Sequence, residues 1–287
     1  MSRNLRITLI TLLAATLMFV AGIWGWTKFS RRFAPISKNP TLLMVFNGEY
    51  VSEAENSLAS KKKNTPELVD NLTICVSDDS ARNFAQKHNL RYFELSTIND
   101  TGSYLSVPMN IMGRRKIECV LHLLERGEDV FYFDTDIVFM NNPLSEFNAN
   151  YDINLQADEC SRPYKNKYLC TGFMHLKPNE RTISFLYEII DEVMNTGYKI
   201  NDQNALDNLV KNKSLMSWYN MNGPSINVLD VCKFPNGCRY FDKSDRFCKP
   251  EQALIIHNNH IVGIKNKRAR FEKYGLIFSN ENSIAAQ

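Results

Sequence analysis

Residues 130–136 read Val-Phe-Tyr-Phe-Asp-Thr-Asp, an apolar run of strand type that ends in two carboxylates one residue apart. A strand this uniformly apolar is expected to be covered on both faces, which points to an α/β sheet. On an extended backbone alternate side chains share a face, so Asp134 and Asp136 are expected to point together beyond the strand end. Paired hard oxygens suit a hard divalent cation, and such a cation suits a diphosphate. In open α/β sheets, ligands sit at the carboxyl ends of strands. Asp-x-Asp alone also arises by chance, and strand-end aspartates often only cap turns. The context carries the weight: a helix before the strand and further polar clusters at later strand ends.

The rest of the chain reads as strands alternating with helices. Strands are expected at Leu42–Phe46, Leu72–Val76, Arg91–Leu95, Ile153–Gln156, Phe173–Leu176 and Leu254–His257. Helices are expected at Glu53–Lys63, Ser80–His88, Arg114–Arg126, Thr182–Met194 and Gln203–Val210. Arg114–Arg126 is the clearest, with Ile117, Val120, Leu121 and Leu124 on one face and Gly127 as its stop. The run Lys61–Lys63 reads as a solvated face, and Gly263–Tyr274 as a basic tail. Strand–helix–strand alternation argues for parallel βαβ units, hence an α/β fold with a single Rossmann-like, mostly parallel twisted sheet flanked by helices.

Ile7–Trp26 carries no charged residue and is long enough to cross a bilayer, which takes about 20 apolar residues. Trp24 and Trp26 would stand in an aromatic belt. Arg3 and Arg6 precede the segment and Lys28, Arg31 and Arg32 follow it, so flanking charge sets no orientation. The expected layout is a tail at 1–6, a signal anchor at 7–26, a short stem at 27–40 and one domain at 41–287. Cleavage near Val20-Ala21-Gly22 is the rival reading of the anchor. Three sequons, at Asn71, Asn99 and Asn212, and seven cysteines agree with delivery across a membrane. The spacings Cys160/Cys170 and Cys232/Cys238 could each close a short disulfide loop, and the odd count leaves a thiol over. A net charge of +3 gives no reason to expect nucleic acid.

Helix, then Gly-x-Asp-Val-x-x-x-Asp-x-Asp over 127–136, then Asn142-Pro143, resembles the nucleotide-diphospho-sugar transferases. The likeness is to glycosyltransferase family seventy-seven, with kinship to family eight, both retaining enzymes of the GT-A fold. It covers roughly residues 41–278. The resemblance implies that Asp134 and Asp136 hold Mn²⁺ or Mg²⁺ on the diphosphate of a sugar nucleotide. Thr171-Gly172 would let the sugar approach the backbone, although a glycine can merely start a strand. Asp202-Gln203 matches the family's Asp-Gln. Asp202 would bond sugar hydroxyls, and Gln203 would lie near the anomeric carbon; a plain helix N-cap at Asp202 is the alternative. A C-terminal histidine would complete the metal shell, with His257 and His260 both open, and Gly263, Lys265 and Lys267 would bind phosphates.

The amino-terminal half offers Phe46, Asn47 and Gly48 toward the nucleoside, Asp78 or Asp79 toward base or ribose, and Arg115 and Lys116 near the nucleotide; each charged residue could equally be a surface charge. The family thus implies a Golgi or endoplasmic reticulum protein, single-pass type II, moving a sugar from a UDP-linked donor to a glycan or glycoprotein hydroxyl. Two alternatives stand beside it. A nucleotidyltransferase or pyrophosphatase would show a Gly-rich basic loop after the first strand, which Asn47-Gly48-Glu49-Tyr50 is not. A non-catalytic sugar-nucleotide or glycan binder would be expected to lose Asp134, Asp136, Asp202 or Gln203.

Overall fold

The computed structural model of the chain describes residues 37, 39–95, 107–158, 160, 168–211, 223–241 and 248–279. The expected anchor, most of the stem and the sequons at Asn99 and Asn212 lie outside them. Among the described residues no helix is long and apolar enough to cross a membrane.

The first half of the domain is built from parallel units. Strand β1 (Thr41–Phe46) leads into helix α1 (Val51–Asn64), β2 (Leu72–Val76) into α2 (Asp79–Lys87), and β3 (Arg91–Glu94) follows. Helix α3 (Val107–Glu125) then precedes β4 (Val130–Phe133). β1 pairs in parallel with both β2 and β4, and β2 with β3. The strand order therefore reverses at β1, between β2 on one side and β4 on the other. That is the switch point at which open α/β sheets leave a crevice.

The second half is mixed. β6 (Ile153–Ala157) and β7 (Leu169–Leu176) lie antiparallel, β7 also runs antiparallel to β4, and β8 (Ile226–Val228) pairs in parallel with β6. Among the described residues the main sheet reads β3-β2-β1-β4-β7-β6-β8, with parallel pairings in the majority. Helices α4 (Glu180–Asn195) and α5 (Asp202–Lys211) follow β7.

Side-chain alternation divides the core. Leu42, Met44, Phe46, Phe131 and Phe133 pack with α1 and α2 on one face. Leu43, Val130 and Tyr132 pack with α3, α4 and α5 on the other. A smaller unit adjoins them: β5 (Ile137–Phe139) pairs antiparallel with β9 (Ile255–His257), backed by α6 (Gly237–Phe241) and α7 (Ile264–Lys273).

Two expectations need correction here. Lys61 is not on a solvated face. Its side chain is fully buried, its Nζ lies 3.8 Å from the centroid of Phe133 and 4.2 Å from that of Phe139, and it donates to Ser57 Oγ at 3.0 Å. Only Lys62 and Lys63 are exposed, because a helix turns each successive residue about 100° and carries one of three into the sheet. The disulfides also differ: Cys75–Cys119, Cys160–Cys238 and Cys232–Cys248 form, and Cys170 is a buried free thiol. Cys170 belongs to the inner strand β7, whereas Cys160 faces α6 across the fold, so nearness in sequence chose the wrong partners.

Candidate active site

The site assembles where β1 and β4 end. β4 stops at Phe133, and the backbone of Asp134 still donates to Gly172 O at 2.8 Å before the chain turns. Asp134 and Asp136 thus flank a turn between β4 and β5 rather than sharing a strand face, and it is the turn that brings them together. The pairing of β5 with β9 sets His257 opposite Ile137, beside Asp136. One ligand atom each from Asp134, Asp136 and His257 then lie within 4.8 Å of one another. His257 Nε2 is 3.4 Å from Asp136 Oδ1 and 3.8 Å from Asp134 Oδ2. Two carboxylates and an imidazole are a donor set that fits Mn²⁺ or Mg²⁺.

Of the two histidines, His257 joins the aspartates. His260 lies at the rim, 2.9 Å from Asp158 and beside the Cys160–Cys238 bridge, whose sulfurs are spent on each other.

Two lysines reach into the cluster. Lys267, from α7, bonds Asp136 Oδ2. Burial would push the Asp136 carboxyl up, but the Lys267 ammonium beside it outweighs that and holds it well below the usual carboxylate range. Lys116, from α3, pairs with Asp202 and donates to Thr171 Oγ1 at 3.0 Å. Burial alone would lower its ammonium pKa; Asp202 and Asp134 outweigh that and raise it. Asp202 does not cap α5. Asn201 does, accepting from Asn204 N at 2.8 Å, and Asp202 is left facing Lys116 and the backbone of α3. Gln203 is held at both ends of its amide: Oε1 accepts from Thr171 N at 2.9 Å, and Nε2 donates to Leu169 O.

Close backbone approach makes two glycines necessary. A Cβ on Gly172 would stand 2.5 Å from both Asp134 Oδ2 and His257 Cε1, and one on Gly113 would stand 2.3 Å from Asp202 Oδ1. In front of these groups lies an inner pocket of about 140 Å³ that reaches Phe46, Asn47 and Tyr50. It opens into a cleft of about 800 Å³ lined by Thr171, Gln203, His257, Gly263 and Lys265, among others. Lys116, Asp134, Asp136, Asp202 and Lys267 border both.

Some candidates fall elsewhere. Arg115 pairs with Glu118 and lines a separate small pocket beside Cys75 and Cys119. Asp78 caps α2 through Ala81 N at 2.8 Å and accepts from Gly48 N at 2.6 Å, while Asp79 pairs with Arg82. Two further groups complete the site. Tyr132 donates to Asp134 Oδ1 at 2.5 Å, and its position two before Asp134 on a strand was the available signal. Burial, then Asp134, raises its phenol well above the ordinary value, so it remains a donor. Gln156, a polar residue in a buried strand, bonds His257 Nδ1 at 2.7 Å.

The sequence profile of the nucleotide-diphospho-sugar transferases matches residues 67–271. Over 203 residues the chain is 28% identical to the UDP-galactose:fucoside alpha-3-galactosyltransferase of Dictyostelium discoideum, covering 63% of this chain and 30% of that protein. Over 191 residues it is 25% identical to UDP-D-xylose:L-fucose alpha-1,3-D-xylosyltransferase 1 of Arabidopsis thaliana, covering 59% and 51%. The chain thus matches only part of these relatives' own length, 30% of the first and 51% of the second. The galactosyltransferase LgtC, solved with donor and acceptor sugar analogs, superposes with a TM-score of 0.52 at 12% identity, over 82% of this chain and 95% of that one. The glycosyltransferase GlyE of Streptococcus pneumoniae TIGR4 gives 0.51 at 12%, over 82% and 59%. Likeness at that identity is one of fold, the expected GT-A arrangement with its mostly parallel sheet. With the profile running through most of the described domain, from before β2 to the last turns of α7, the chain belongs to the nucleotide-diphospho-sugar transferase family.

Proposed function

We propose that the chain is a metal-dependent retaining glycosyltransferase that moves a sugar from a UDP-linked donor to a hydroxyl of a glycan or glycoprotein. The convergence of Asp134, Asp136 and His257 at the junction of the two cavities carries this reading. The inner pocket, edged by Phe46 and Asn47, suits a nucleoside, and the larger cleft gives room for a sugar and an acceptor. Fucose stands in the names of both relatives above, so an L-fucoside is the first acceptor to try.

A divalent cation, Mn²⁺ or Mg²⁺, on Asp134, Asp136 and His257 would neutralise charge on the departing diphosphate. The chain's own groups serve the same end. Lys267 and the exposed Lys265 bring positive charge to where the diphosphate would lie. Gly263, at φ +89°, opens α7 toward the cleft, and a helix N-terminus favours an anion. Asp202 can accept from a sugar hydroxyl while Lys116 holds it in place. Gln203 fixes the β7 backbone at Thr171, against which the sugar would rest. The acceptor hydroxyl attacks on the face from which the diphosphate leaves, and a leaving phosphate oxygen takes its proton, so no separate base is needed.

Purified protein should hydrolyse one UDP-sugar, or transfer it to an L-fucoside, in Mn²⁺ and not in EDTA. Asp136→Asn should abolish turnover, and Asp79→Asn should leave it intact. The anomeric proton coupling of the product reads retention. A protein that neither turns over nor is thermally stabilised by any sugar nucleotide would end this reading.

A further inference from the structure

An imidazole binds a cation only through a nitrogen that carries no proton, and the nitrogen available to the aspartates is His257 Nε2. Left to electrostatics, a neutral His257 would put its one proton there, because two carboxylates face that atom. Something must hold the proton on Nδ1.

Gln156 is placed to do so. It is fully buried, its Oε1 lies 2.7 Å from His257 Nδ1, and its Nε2 donates to the backbone carbonyl of Phe234 at 3.0 Å. A carbonyl oxygen only accepts, so the amide end facing Phe234 must be the NH₂. The end facing His257 is then the oxygen, and the amide cannot flip without setting oxygen against oxygen. Facing an acceptor, Nδ1 must be the donor. The orientation descends from the strand itself: β6 loses register with β7 between Leu155 and Gln156, so that Gln156 comes opposite Cys170 rather than Phe173. A register break of this kind re-aims side chains, and here Gln156 comes to face β9. The Cys170 sulfur, 3.7 Å from the same Nδ1, is the weaker partner.

We infer that Gln156 is a positioning residue that fixes the Nδ1–H tautomer of His257 and so leaves its Nε2 lone pair between Asp134 and Asp136. The geometry stands by itself; the purpose rests on the cation reading above. Outer partners of a histidine ligand are typically worth about 10–100-fold in metal affinity.

The test uses the full chain with ¹⁵N-labelled histidine, which carries five imidazoles, and an H257Q sample for assignment. Long-range ¹H–¹⁵N spectra of the metal-free protein, with His257 in its neutral form, report the tautomer. Wild type and C170A should show Nδ1–H. Q156L and Q156E both lose the donation to Phe234 O, yet they should differ. Q156L should pass to Nε2–H and bind Mn²⁺ at least about 10-fold more weakly by electron paramagnetic resonance. Q156E still accepts from Nδ1 and should keep both the tautomer and the affinity. A merely structural role for Gln156 would move the two variants alike. The same tautomer in wild type and a folded Q156L, as judged by its amide spectrum, would overturn the inference. A wild type that shows Nδ1–H lost in Q156L, but that binds no Mn²⁺, would uphold the lock and refute the cation reading.

Discussion

Gly172 concentrates the demands of the site in one missing methyl. It occupies an extended strand, where alanine would ordinarily cost nothing, but the added Cβ would meet Asp134 and His257 at 2.5 Å. Gly172→Ala, which would force the buried His257 ring and Asp134 aside, should lose about 1–3 kcal/mol by overpacking and on the order of 100-fold in turnover, the scale at which small misplacements act; equal kcat in the two proteins would contradict this. Lys61 shows a different case, a charge whose cost is to stability alone. Burial pushes its ammonium well below the usual lysine value, against the partial compensation of the Phe133 and Phe139 ring faces. The folded chain then binds fewer protons at this position than the unfolded chain between the two pKa values. Stability should rise with pH across that window and be complete only above the unfolded lysine's value of about 10.4. Lys61→Met should flatten that slope and raise stability near neutrality by about 1–2 kcal/mol, as read by denaturant titration at several pH values. The sequence named Asp134, Asp136, Gly172 and Asp202 because each belongs to a local pattern. It could not name Gln156 or Gly113, whose partners His257 and Asp202 lie about a hundred positions away.

Elements were readable in proportion to how much of their own hydrophobic surface they carry. β2 matches its expected bounds to the residue, and the apolar part of the 130–136 run is β4, since each is a continuous buried run closed by polar residues. β5, three residues long, hid behind Asp136, and β8 is only half-buried. α7 read as a basic tail because among its ten residues only Phe271 is buried, leaving almost no apolar period to detect. β7 was recognised only from Phe173, as Cys170-Thr171-Gly172 has the composition of a turn; its antiparallel direction is a tertiary matter that no local pattern encodes. At this scale the bridge Cys75–Cys119 ties β2 to α3 across 44 residues. Its loss in Cys75→Ala/Cys119→Ala should cost about 2–4 kcal/mol. Both ends lie behind the site, so KM for the donor should hold at temperatures where the variant remains folded.

The whole molecule is a switch-point sheet with a second, smaller unit folded against its open end. β9 and α7 come last in the described chain, yet they supply His257 and Lys267, so the site is complete only when the carboxyl-terminal unit has docked. Asn258 and Asn56 secure that docking: Asn258 N donates to Asp136 O at 2.9 Å, and Asn56 of α1 donates to Leu276 O at 3.0 Å and accepts from Phe278 N at 2.6 Å. The Lys267 ammonium meanwhile rests on Asp136. On the cation reading, a divalent ion at Asp136 Oδ1 would share that carboxylate with the Lys267 ammonium on Oδ2 and would repel it toward an entering diphosphate. Ion and nucleotide should therefore reinforce one another: UDP and Mn²⁺ together should raise the melting temperature by more than the sum of their separate shifts, and Lys267→Met should erase the surplus.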